Sequence, residues 1–206
     1  MFAAALVTGV AFVDIAAAQQ TQRTDPTAVT VVGRDPNARR CSQQVLRGDI
    51  SDSTIEVCTE ALEYRRLARL AQLQLLTNRG VTHLRREESD AALADFDAVI
   101  ALDRRHAEAH LNRGAALVQM RRYGPAIASI TEALGLGVAE PQKAYFNRAA
   151  AREALGDLRG AYEDYNTALE IQPDWGPANA ELARFARTRR EQLATTLGED
   201  TTQQNQ

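Results

Sequence analysis

Few residues in this chain have the type and spacing that chemistry requires. It has three histidines, His83, His106 and His110. His106 and His110 are four apart, so one helix face could present both to a metal ion. No glutamate completes an HExxH pattern, however, and His106 falls where a helix is expected to start. There is no GxSxG elbow, phosphate-cradling glycine loop or Cys–His arrangement. Gly33-Arg34-Asp35 and Gly156-Asp157 read as turns, and Glu87-Glu88 and the Asp95, Asp97 pair as solvated helix faces. The expectation is no catalytic residue, no cofactor and no metal.

Cys41 and Cys58 are the two cysteines, 17 positions apart. In a cytosolic protein they need no explanation beyond packing; in an exported one an even, small count reads as a disulfide. The spacing suits two antiparallel helices joined by a turn at 47–51. The start of the chain favours export. Phe2–Val13 is an apolar run ending near Ala16-Ala17-Ala18, the pattern of a secretory signal cleaved after Ala18. It departs from that pattern in having no Lys or Arg ahead of the run and in carrying Asp14. The run is too short to span a bilayer, so no membrane span is expected after cleavage.

Three asparagines, Asn78, Asn112 and Asn147, recur at intervals of 34 and 35 residues. A side-chain amide offers two donors and an acceptor, which matches a peptide group. Two readings are open: a helix-surface contact repeated by duplication, or a ladder that holds a partner's backbone.

The elements that position these residues follow from composition and period. The 206 residues are 45% apolar and 25% charged, ordinary for a globular chain. Alanine, leucine and arginine are abundant, and these residues lose least on entering a helix. The net charge is -3, and all 24 basic residues but Lys143 are arginine. A nucleic-acid partner is not expected, because such proteins normally carry a basic excess.

The register of the asparagines extends to their neighbours. Leu75-Leu76-Thr77-Asn78-Arg79-Gly80 recurs as Ala109 to Gly114 and as Ala144 to Ala149. Ala92, Phe96 and Leu102 map onto Ala126, Ile130 and Leu136, then onto Ala161, Tyr165 and Ile171. The one extra residue falls in 137–142, where it lengthens a loop. Each unit reads as two helices with apolar stripes. Breaks fall at Ser89-Asp90, Tyr123-Gly124-Pro125 and Gly156-Asp157, with Ser89 and Asp157 as N-caps and Pro125 and Pro141 in first turns. Small residues at 80, 114 and 149 face small residues at 92, 126 and 161, which lets the helices approach closely.

On these residues, with Ala133-Leu134, Ala168-Leu169 and Pro173, the chain resembles the tetratricopeptide repeat family. It departs from the family in Asp103-Arg104 and Gly137 at the unit ends, and in His83, Leu117 and Arg152 where a large aromatic is usual. The resemblance implies an all-α superhelix, a solenoid of helical hairpins with a C-terminal capping helix. It also implies a non-catalytic module that binds a protein or peptide, with the asparagines facing a concave groove. Thr77, Leu111, Lys143, Phe146, Val81, Ala115 and Ala150 would line that groove. A basic clamp for a terminal carboxylate is not expected, since Lys143 stands without other cations at those positions.

The expected organisation is a signal at 1–18, a flexible segment at 19–37 and a degenerate, disulfide-stapled hairpin with its connection at 38–72. Three repeats follow at 73–175, then a capping helix at 176–197 and a disordered tail at 198–206. The degenerate hairpin would pack Val45, Leu46, Ile50, Ile55 and Val57. The capping helix would bury Leu182, Phe185, Ala186 and Trp175, with Glu181, Arg184, Arg187 and Arg190 facing water. Export, taken with the resemblance and the composition, points to the bacterial periplasm or an equivalent exported space. The alternative is an accessory subunit of an envelope enzyme or secretion complex, using the convex face or the tails.

Overall fold

The helix-forming middle of the sequence is helical between its turns in the computed structural model, which describes residues 35–64 and 67–188. The expected signal, most of the segment up to 37 and the tail lie outside the described residues, as does the end of the capping helix. The described helices are α1 Pro36–Leu46, α2 Asp52–Leu62, α3 Arg69–Arg85, α4 Ser89–Leu102, α5 Ala107–Gln119, α6 Tyr123–Leu136, α7 Pro141–Ala154 and α8 Leu158–Ile171. A ninth, α9, runs through 176–188. The fold class is the all-α helical repeat expected. Two compact units divide the chain, Met1–Ala92 and Leu93–Gln206, and α4 is shared between them.

In the first unit Pro36 opens α1, and the Asp35 side chain caps it by accepting from Asn37 N at 3.0 Å. Helices α1 and α2 form the expected hairpin, joined by a disulfide between Cys41 and Cys58 whose Cα atoms are 4.9 Å apart. Its core is Ala38, Cys41, Val45, Val57, Cys58 and Ala61, completed by Ala71 and Leu75 of α3. Leu46 and Ile50 were expected in this core and are exposed. Leu46 lies one residue, about 100° of helix, beyond the Ala38–Cys41–Val45 face, and Ile50 sits in the turn. Helix α3 begins at Arg69, four residues before the expected repeat start at 73. Arg86 clasps the end of α3 to the hairpin turn. Its guanidinium donates to Ile50 O at 3.0 Å and pairs with Asp52 at 2.6 Å and Glu88 at 2.8 Å. Glu88 also bonds His83 Nδ1 at 2.6 Å, and that contact, aided by Arg86, holds its carboxyl below the usual carboxylate range.

In the second unit α5 pairs with α6 and α7 with α8, while α7 also packs on α5 and α6. His106 caps α5 through Nδ1, which accepts from Ala109 N at 3.2 Å. Asp157 caps α8 by accepting from Gly160 N at 2.9 Å. Ser89, expected as a cap, is the first residue of α4 instead. The requirement for small residues is explicit at Gly114, where a Cβ would overlap Ile130 Cγ1 and lie 3.4 Å from Ala126 O. The inserted residue of the third unit falls after α6, which ends in the left-handed Gly137 (φ 81°).

Helix α9 closes this unit differently from expectation. Trp175 and Ala178 are buried, and Phe185 packs edge-on against Tyr165 and Tyr162, but Ala186 is exposed. Glu181 and Arg184 do not simply face water. Arg184 reaches Glu153 of α7 at 2.5 and 2.6 Å and Glu181 at 2.7 Å. A long guanidinium can bridge to the neighbouring helix while its stem covers apolar surface, which a pattern within one helix does not reveal.

The turn inside each hairpin repeats one backbone conformation that the sequence reading missed. Glu87 (φ 61°), Arg121 (φ 58°) and Gly156 (φ 83°) occupy equivalent positions. Each is followed by an amide that closes back on the helix: Glu88 N to His83 O, Arg122 N to Leu117 O and Asp157 N to Arg152 O, at 2.8–2.9 Å. Left-handed backbone costs an ordinary side chain roughly 1 kcal/mol, which glycine avoids. Arg121→Gly and Glu87→Gly are each expected to raise stability by about 0.5–1 kcal/mol, as read by urea denaturation. Unchanged or lower midpoints would show that side-chain contacts outweigh the backbone term.

Candidate functional site

Helices α5 and α7 lie against one another in the second unit and carry Asn112 and Asn147 at equivalent places. Glu108 stands one turn before Asn112 on the same helix face, and Lys143 one turn before Asn147. Asn147 is 6% exposed, yet its amide hydrogen-bonds none of the described residues. Asn112 is half-buried and likewise makes no side-chain hydrogen bond among them. The amide atoms of both residues stay within reach of solvent, so water or a partner can take their hydrogen bonds.

Asn78, in the first unit, is in a different situation. It is buried, and its Nδ2 donates to Ser42 Oγ of α1 at 3.2 Å. Ser42 in turn donates to Ala38 O at 3.2 Å. The amide of Asn78 therefore braces α3 against the degenerate hairpin.

The other residues expected in the groove are taken up by packing and local bonds. Thr77 Oγ1 donates to Leu73 O of its own helix at 2.8 Å. Leu111 is buried with Ile130, Ala133, Val138 and Ala144. Phe146 is a core residue, its ring edge-on to Tyr165 and Trp175 at 5.3 and 5.1 Å between centroids. Val81 packs on the first unit's core, and Ala115 is buried. Lys143 Nζ bonds Glu140 at 2.7 Å and is 13% exposed. The position that Leu111 holds on α5 and Phe146 on α7 faces the partner helices α6 and α8, a distinction that a shared repeat register does not make.

The remaining charges on α5 and α7 are also spent inside the unit. Arg113 pairs with Asp97 at 2.6 Å. Asp164 of α8 is 5% exposed and receives two bonds from Arg148, at 2.8 and 2.9 Å, and one from Arg152 at 2.9 Å. Arg148 also lies 5.2 Å over the Tyr145 ring, and the Asp164 contact raises its already high pKa. Asp95 was expected on a solvated face and is buried, whereas Asp97 is exposed. Asp95 and Asp164 hold the same place two repeats apart, which was the available signal for an internal ion pair. Burial drives the Tyr165 phenol well above its ordinary pKa, and its hydroxyl donates to Glu153 at 3.3 Å. His106 and His110 are both used locally, the first as a cap and the second through Nε2 to Arg104 O at 3.0 Å.

Comparison with known proteins matches the third hairpin most specifically. Residues 142–175 fit the family model of the tetratricopeptide repeat. RNA polymerase II-associated protein 3 of Xenopus tropicalis is 31% identical over 107 residues, 52% of this chain and 16% of that protein. Rat (Rattus norvegicus) serine/threonine-protein phosphatase 5 is 28% identical over 105 residues and is covered to 21%. The chain thus spans about a fifth or less of the curated relatives it matches. Among solved structures, the first TPR of Spaghetti (RPAP3) bound to HSP90 peptide SRMEEVD aligns with a TM-score of 0.54 at 25% identity, covering 58% of this chain and 94% of that one. MamA residues 41 to the end, from Desulfovibrio magneticus RS-1, aligns with a TM-score of 0.63 at 18% identity, covering 82% and 94%. The helices α7 and α8 are a tetratricopeptide-type hairpin, and the chain's fold is that of the helical-repeat structures it resembles.

Proposed function

We propose that this chain is a non-catalytic repeat module that binds a protein or peptide on the α5–α7 surface, in an exported, periplasmic setting. The carrying observation is that the amides of Asn147 and Asn112, on adjacent helices, hydrogen-bond none of the described residues and stay within reach of solvent. A side-chain amide on each of two neighbouring helices suits the backbone of an extended chain. The solved relative with a bound peptide supports this type of partner. Export rests on the apolar run at 2–13 and on the Cys41–Cys58 bond, which suits an oxidising compartment. A second reading, an accessory subunit of an envelope enzyme or secretion complex, is favoured by the exposed Leu158 and Tyr162 on the outward side of α8.

The asparagines separate these readings. Each hydrogen bond contributes about 0.5–1.5 kcal/mol, so the Asn112→Ala, Asn147→Ala double variant is expected to lose roughly ten- to a hundredfold in partner affinity while staying folded. Asn78→Ala is expected to do the reverse, lowering stability by about 1 kcal/mol with affinity unchanged. Pull-down from an oxidised periplasmic extract, followed by calorimetry with the recovered partner, measures the first. Thermal melting measures the second. A folded double variant with full affinity would move the binding site off α5 and α7.

A further inference from the structure

The α1–α2 hairpin divides its charge between its two helices. From Pro36 to Arg47 the chain carries Arg39, Arg40 and Arg47 and no acid; from Asp52 to Glu63 it carries Asp52, Glu56, Glu60 and Glu63 and no base. The core face of each helix is turned to its partner and to α3. Arg40, Arg47, Glu56, Glu60 and Glu63 each stand two residues, about 200° of helix, beyond a buried one, so they point away from that core and are exposed. The three arginines, Glu56 and Glu63 form no ion pair among the described residues. Glu60 accepts only from the neutral amide of Asn37, at 3.0 Å, while Asp52 is matched by Arg86. Glu60 and Glu63 also sit at the C-terminal end of α2, where the helix dipole disfavours a carboxylate, so a cation brought there is favoured twice.

We propose that this charge-divided hairpin is a contact between two copies of the chain, a weak two-fold dimer independent of the α5–α7 reading above. A two-fold axis running between α1 and α2, parallel to both, lays α1 of one copy antiparallel on α2 of the other. Cys41 stands opposite Cys58, so Arg40 is level with Glu60 and Arg47 with Asp52. The axis preserves these levels, and the arginines of each copy meet the acids of the other. An axis set across the helices would lay α1 on α1 and base on base, so the charges select the first arrangement. An unrelated partner would have to reproduce a basic and an acidic stripe side by side, whereas a second copy already carries both. The face is small, two helices of 11 residues each and about 16 Å long, which fits a transient contact.

Sedimentation equilibrium of the full, oxidised chain tests this. A monomer–dimer equilibrium is expected that weakens about tenfold or more between low and high salt, because exposed charges are screened. Two double variants reverse one stripe each: Arg40→Glu with Arg47→Glu, and Glu56→Arg with Glu60→Arg. Each alone is expected to be monomeric, since like charges then face one another, and an equimolar mixture of the two is expected to associate as tightly as the parent. The disulfide holds the hairpin in both, and circular dichroism checks the fold. The milder pair Arg40→Gln, Arg47→Gln removes charge without adding repulsion and is expected to weaken the dimer about tenfold. A parent that stays monomeric at low salt, a dimer that survives either reversal, or a mixture that does not associate would overturn the proposal. A salt-insensitive dimer lost with Leu158→Ser and Tyr162→Ser would overturn it in favour of the exposed side of α8.

Discussion

Replacing Asp164 by alanine is expected to cost about 3–5 kcal/mol, the cost of removing one side of a buried charge network. The carboxylate is 5% exposed and accepts from both Arg148 and Arg152, so its loss leaves two guanidinium groups without their common partner. Arg148 is itself only 13% exposed and would keep a single weaker bond, to Thr131 Oγ1 at 3.3 Å. Because these bonds join α7 to α8, the damage falls on the third hairpin, the same segment that matches the repeat family. Asp164→Asn keeps one acceptor oxygen and should cost less than alanine. Chemical denaturation gives both values, and an alanine variant within about 1 kcal/mol of the parent would show the network to be surface-like.

Removing the disulfide is expected to cost about 3 kcal/mol, the loop-closure value for a loop of about 15 residues. The loss should be local. The α1–α2 hairpin buries mainly small side chains (Ala38, Val45, Val57 and Ala61), and Leu46 and Ile50 contribute little because they are exposed. With the double variant Cys41→Ala, Cys58→Ala, limited proteolysis should therefore cut within 36–62 before any site in the second unit, since repeat stability is a sum of local and neighbour terms. The Arg86 clasp, the Asn78–Ser42 bond and the bonds from Arg79 to Thr59 and from Arg85 to Val45 O remain among the hairpin's other ties to α3. Simultaneous loss of both units on removal of the bridge would contradict this account. Two reactive thiols in the protein recovered from its native compartment would contradict the bridge itself and remove its support for export.

The repeat architecture was legible before any coordinates because it is written in local terms. The 34- and 35-residue shifts, the helix-breaking pairs at 123–125 and 156–157, the small residue at 114 and the Cys41–Cys58 spacing each follow from periodicity, capping or chain reach. The outcome at Gly114 illustrates this, since the close approach to Ala126 and Ile130 is the feature its lack of a Cβ announced.

Equivalence between repeats was the part that periodicity overstated. Asn78, Asn112 and Asn147 are interchangeable in sequence register. In space, Asn78 has Ser42 of the preceding hairpin as its hydrogen-bond partner, while the Asn147 amide has none among the described residues and stays within reach of solvent. Phe146 and Lys143 were alike as candidates for the groove, but Phe146 completes an aromatic cluster with Tyr165 and Trp175, and Lys143 is neutralised by Glu140. Asp164 and Asp95 were indistinguishable by composition from solvated carboxylates and are buried. Helical period decides which residues share a face of one helix. Which group of another helix arrives opposite that face is a long-range pairing, and only tertiary packing decided it, separating here a structural amide from one still open to a partner.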